Sequence, residues 1–163
     1  MFSNSLVCDL LEYINKNIND EITIDDLSNR FYFNKTYIMK RFKREIGYTI
    51  HDYINTMRIM NSLDLYGYDN YILGIAIKNG FNSIEYYSEM FKNIIGVSPL
   101  NFRQMFSILS DKAENTKNIE ELVLIRDEFE KIKDYQNYLD NFSADFINDG
   151  MKKEKPKVMI KLQ

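Results

Sequence analysis

Much of the pattern of residues 80–99, GFNSIEYYSEMFKNIIGVSP, also appears 49 positions upstream in residues 32–49, YFNKTYIMKRFKREIGYT. Tyr37 matches Tyr86, Phe42-Lys43 matches Phe91-Lys92, and Ile46-Gly47 matches Ile95-Gly96. Thr49 matches Ser98 and Tyr53 matches Phe102. Each copy holds a helix start, an apolar stripe at helical spacing and a glycine stop. The chain must therefore fold into something that uses one supersecondary unit twice, which already disfavours a single continuous sheet or one long coiled coil.

The 163 residues suffice for one sizeable domain or two small ones, and 45% hydrophobic residues supply a core. The net charge of −3 gives no global attraction to nucleic acid or acidic lipid, so any such affinity has to be local. Cys8 is the only cysteine and His51 the only histidine, which excludes an internal disulfide and leaves no zinc constellation; no metal or other cofactor is expected. His51, near a helix start, has no nucleophile or paired carboxylate at a spacing that implicates it, and Cys8 reads as a surface or boundary residue. Catalysis is not expected. No apolar run approaches the ~20 residues needed to span a bilayer, so no membrane partner is expected and a reducing cytoplasm fits.

Residues 3–18 carry Leu6, Val7, Leu10, Leu11, Ile14 and Ile18 at steps of three and four, an amphipathic helix. Thr23 and Asp26 have capping-box spacing and open a short second helix that stops near Arg30. Asn34 caps a third helix from Lys35 to Ile46, closed by Gly47. A long helix is read over residues 50–66, a short one over 72–79, and another opened by capping-box spacing between Asn82 and Glu85, with Ile84, Tyr87, Phe91, Ile94 and Ile95 facing inward.

The third helix concentrates charge. Among residues 35–44 five are basic, and no acid intervenes before Glu45. A surface helix is commonly charged for solvation alone, but such a face mixes both signs. On the second helix of a tight helix pair, a one-sign face favours nucleic acid.

Ile75-Ala76, Gly80-Phe81, Ser83, Tyr86-Tyr87, Phe91-Lys92, Gly96, Ser98-Pro99 and Phe102-Arg103 follow an ordered pattern, with Tyr53, Arg58 and Ser62 earlier in the chain. In these residues the chain resembles the DNA-binding domain of the AraC/XylS transcription regulators, over roughly its first 60%. The resemblance implies an all-α fold of two helix-turn-helix subdomains joined by a long linker helix, here with a C-terminal helical extension. The expected boundaries are 3–48 for the first subdomain, 50–66 for the linker and 71–106 for the second, within a 3–106 DNA-binding domain.

It implies further that each recognition helix enters a major groove of double-stranded promoter DNA, the two lying about 34 Å apart along the duplex. Thr36, Met39 and Lys40 are the base-contact candidates of the first subdomain: lysine donates to guanine, while Met39 and the Thr36 methyl fit a thymine methyl. Lys35, Lys43 and Arg44 are phosphate candidates, and Arg41 is either an anchor or a partner for a nearby acid. In the second subdomain Glu85, Tyr86 and Glu89 are the base-contact candidates, facing outward with Asn93, while Lys78, Lys92 and Arg103 are the phosphate candidates. Glu89 departs from the basic or neutral residue more usual in the family. The first subdomain is thus expected to carry most of the affinity. Tyr32 and Phe33 stand where the family often has glycine, which predicts a looser or wider first turn. RNA polymerase is a candidate partner for a regulator of this kind. The alternative is a degenerate interaction module that binds another regulator instead of DNA.

Residues 107–163 lie outside the resemblance. A helix is read over 118–141, with Leu122, Ile125, Phe129, Ile132 and Leu139 as a seam that either pairs two chains as a homodimer or packs on its own domain. Val158, Ile160 and Leu162 alternate as in a strand. Such a chain is a stand-alone regulator, a piece of a longer one, or one regulated by its C-terminal region.

Overall fold

The computed structural model describes residues 5–67 and 70–110, and further on Asp127, residues 130–134, Asn137 and Asn141. The described residues form helices and turns: α1 (Leu6–Lys16), α2 (Ile24–Phe31), α3 (Lys35–Ile46), α4 (Ile50–Ser62) with a 3-10 continuation (Leu63–Gly67), α5 (Ile72–Lys78), α6 (Ile84–Ile95) and α7 (Pro99–Ser110). Among them no helix is long and apolar enough to cross a membrane. Two compact units divide within α4, between Arg58 and Ile59.

In the first unit each helix begins on a side-chain cap. The Ser5 hydroxyl accepts from the Cys8 N–H, Thr23 and Asp26 form a reciprocal capping box, and the Asn34 side chain accepts from the Thr36 N–H. The apolar stripes of α1 (Val7, Leu10, Leu11, Ile14) and α3 (Ile38, Phe42, Ile46) are buried together with Leu27 of α2. Cys8 belongs to this interior and is not the surface residue its sequence position suggests. The start of α4 closes the unit. The Tyr53 ring meets Phe42 edge to face at 5.6 Å, and its hydroxyl donates to Asn15 Oδ1 at 2.8 Å. Arg58 donates from Nε to the Ile18 carbonyl at 2.7 Å and from Nη2 to the Asp20 carbonyl at 2.6 Å, tying α4 to the segment between α1 and α2.

The turn between α2 and α3 is tight, contrary to the looser geometry expected. Tyr32 takes the left-handed conformation itself, at φ 57 and ψ 35, and the Ser28 hydroxyl holds the Phe33 carbonyl at 2.7 Å. A left-handed residue other than glycine costs about 1–2 kcal/mol, because Cβ crowds the following carbonyl oxygen. Tyr32 is 92% exposed, so removing its side chain sacrifices no packing. Tyr32→Gly therefore raises stability by about 0.5–1 kcal/mol once the extra unfolded-state entropy of glycine is subtracted. A urea midpoint that falls would contradict this account of the turn.

In the second unit α5 and α6 repeat the helix-turn-helix, with Ser83 as N-cap and Gly96 as a left-handed stop, as Gly47 is for α3. Ile75, Ala76, Phe81, Tyr87, Phe91, Ile94, Ile95 and Phe102 form the core. Tyr66 packs its ring against both Phe91 (5.7 Å) and Phe102 (5.0 Å), which touch each other at 5.4 Å. Buried hydroxyls link up here: Ser62 Oγ lies 2.9 Å from Tyr87 Oη, which lies 2.9 Å from Tyr66 Oη. Burial pushes the hydroxyl pKa of both tyrosines up, so they stay protonated and able to donate.

The expected linker helix over 50–66 is α-helical only to Ser62. There the serine hydroxyl donates back to the Ile59 carbonyl at 2.7 Å, a local bond that competes with the helical ladder, and the chain tightens into the 3-10 turn that seats Tyr66.

Of the expected C-terminal seam, Leu122, Ile125, Phe129 and Leu139 lie outside the described residues, as does the strand-like segment 158–162. Ile132 is helical and only 4% exposed, so it is already covered within one chain.

Candidate nucleic-acid interface

The inward face of α3 is fixed by Ile38, Phe42 and Ile46, all fully buried. At about 100° per residue the opposite arc carries Thr36, Tyr37, Lys40, Lys43 and Arg44, and all five are exposed. Met39 is exposed at the flank of this arc. The face has no carboxylate at its centre. Glu45 lies at the edge, where its Oε1 accepts from Arg41 Nε at 2.5 Å and lies 3.8 Å from Arg44. Arg41 also donates from Nη1 to Tyr37 Oη at 2.8 Å. The bonds to Glu45 first, then to Tyr37, raise the guanidinium above its ordinary pKa, so it stays charged. Of the two readings open for Arg41, the structure gives it an acidic partner.

Two further sequence candidates are held within the protein. Lys35 makes an ion pair with Asp25, both ends half-exposed. Arg103 donates to the Asn70 carbonyl, with its guanidinium 5.6 Å from the centre of the Tyr66 ring. This bond braces α7 against residues 33 and 37 positions earlier and engages one nitrogen of the guanidinium.

On α6 the inward residues Tyr87, Phe91, Ile94 and Ile95 leave Glu85, Tyr86, Glu89, Lys92 and Asn93 exposed. Lys78 at the end of α5 is exposed as well. Position by position, Thr36 answers Glu85, Lys40 answers Glu89, Lys43 answers Lys92 and Arg44 answers Asn93. The two faces share a backbone plan and differ in sign at their centres. The residue passed over in the sequence was Tyr37, although its match with Tyr86 in the repeat was the signal that marks it.

A pair of similar helix-turn-helix units, one with a densely basic second helix, defines a protein of the nucleic-acid-reading class. Residues 27–105 match the family described as a helix-turn-helix domain. The chain is 30% identical over 104 residues to the transposon Tn10 TetD protein of Escherichia coli, covering 63% of this chain and 75% of that one. It is 27% identical over 143 residues to an uncharacterized HTH-type transcriptional regulator of Staphylococcus aureus, covering 85% of this chain and spanning only 18% of that protein's length. Among solved structures the DNA-binding domain of AdpA, determined with a target DNA, superimposes with a TM-score of 0.58 at 18% identity, covering 63% of this chain and 93% of that one; this likeness shows the fold. The chain belongs to the AraC/XylS family of helix-turn-helix transcription regulators.

Proposed function

We propose that the chain reads promoter DNA through two recognition helices placed in successive major grooves, with α3 carrying most of the affinity and α6 supplying register or a narrow preference for cytosine, whose amino group a glutamate accepts from. One observation carries this reading: at matched positions on matched helices, α3 presents Lys40, Lys43 and Arg44 where α6 presents Glu89, Lys92 and Asn93. Lysine and arginine neutralise phosphates and release counterions, whereas two carboxylates on the same arc repel them. Lys40, with Thr36 and Met39, is the base reader. Lys43, Arg44, Lys78 and Lys92 hold the backbone, and Lys35 joins them where its partner Asp25 yields to phosphate. Arg103 joins them through its remaining donors, since only its Nη2 is given to the Asn70 carbonyl.

The test contrasts two exposed lysines of one helix. Lys43→Ala weakens every duplex alike, by about 1 kcal/mol, and reduces the salt slope by about one. Lys40→Ala costs about 1–3 kcal/mol at the preferred site and relaxes the choice at one base pair. Equal, uniform losses from both would remove Lys40 from the base-reading role.

A further inference from the structure

Tyr37 stands on the outward arc of α3, 43% exposed and held from two sides. Its ring stacks on Phe33 with centroids 5.4 Å apart and planes 22° from parallel. Its hydroxyl accepts from Arg41 Nη1 at 2.8 Å, and Arg41 is itself anchored at 2.5 Å by Glu45. An aromatic ring with two rotatable angles, fixed this way before any encounter, loses little entropy when it makes a contact. The ring lies beside Lys40, in the first turn of a helix whose N-terminal residues are the ones that meet base edges in this kind of docking. Lys40, Lys43 and Arg44 share the arc with it, and Thr36 and the exposed Met39 lie near the first turn.

We propose that Tyr37 is a specificity-determining residue whose ring packs on the C5-methyl group of a thymine in the major groove, with Phe33 and the Arg41–Glu45 pair as the positioning residues that hold it. Thymine is the one base that presents an apolar group in that groove, and apolar side chains read it by contact. The inference rests on α3 being the principal DNA-reading helix.

The experiment selects bound sequences from random duplexes with the wild-type chain, Tyr37→Phe, Tyr37→Ala and Tyr37→Gln. It then measures binding to the selected duplex with deoxyuridine replacing thymidine one position at a time, which removes only the methyl group. Wild type selects a thymine that Tyr37→Ala and Tyr37→Gln no longer select, and Tyr37→Phe, which keeps the ring but loses the bond from Arg41, selects it more weakly than wild type. At that position deoxyuridine weakens wild type about fourfold, the order expected for burying one methyl group, and leaves the two ringless variants unaffected. Circular dichroism melts confirm that the variants are folded, and Tyr37→Gln serves where Tyr37→Ala melts early. If the ringless variants keep the wild-type preference and the same deoxyuridine penalty, Tyr37 does not read thymine. In that case a preference lost in Lys40→Ala leaves the α3 reading standing. Absence of wild-type binding to any duplex would overturn both.

Discussion

Lys40→Glu lowers affinity for the preferred duplex by about 3 kcal/mol, roughly a hundredfold or more, the upper end of what one base-reading contact carries. The substitution removes a donor and also sets a carboxylate among phosphates, giving α3 the residue that α6 carries at the matched position, Glu89. The reciprocal change, Glu89→Lys, strengthens binding and steepens the dependence of log K on log salt by about one to two, since a repelling charge is replaced by one that releases a counterion. Both sites are exposed, so neither change disturbs the core. Fluorescence anisotropy at several salt concentrations reads both effects. A Lys40→Glu loss within threefold would mean that α3 is not the principal reading helix.

Arg58→Ala destabilises the first unit by about 2–3 kcal/mol. Hydrogen bonds from a charged donor contribute more than neutral ones, about 1.5–3 kcal/mol, and here one guanidinium serves the carbonyls of both Ile18 and Asp20. Solvent reaches part of the site and replaces some of what is lost, which holds the cost below the sum of two such bonds. Arg58→Lys recovers only part of it, because a single ammonium lacks the planar fork that spans two acceptors. Urea unfolding followed by circular dichroism measures the difference. A change under about 0.5 kcal/mol would show that Tyr53, through Asn15 and Phe42, holds α4 in place without help.

The features legible in the sequence are those set by neighbours within a few positions. The caps at Thr23 and Asn34 and the stops at Gly47 and Gly96 follow from local chemistry, and the inward stripes of α3 and α6 follow from helical spacing; the cap of α6 falls on Ser83, one residue past the Asn82 that the sequence pattern marks. The repeat reinforced each reading with a second copy. What stayed hidden depends on residues distant in the chain or on a conformation the residue type argues against. Tyr32 occupies a left-handed position that sequence patterns reserve for glycine or asparagine. The end of α4 depends on Ser62 and on the seat that Phe91 and Phe102 make for Tyr66. Arg103 resembles a free cation until Asn70 and Tyr66 are brought beside it. Charge on α3 was countable in the sequence, but which charges engage partners was not: Lys35 meets Asp25 and Arg41 meets Glu45, leaving Lys40 and Lys43 exposed on the outer arc.

Whether the chain binds DNA at all, and by the number of contacts its α3 face suggests, is read most directly from one salt titration. The wild-type chain is mixed with a promoter-sized duplex recovered by selection, and the association constant is measured from low to physiological salt. About five neutralised phosphates predict a slope of log K against log salt of about −4 to −5. Binding that stays undetectable even at the lowest salt would contradict the account.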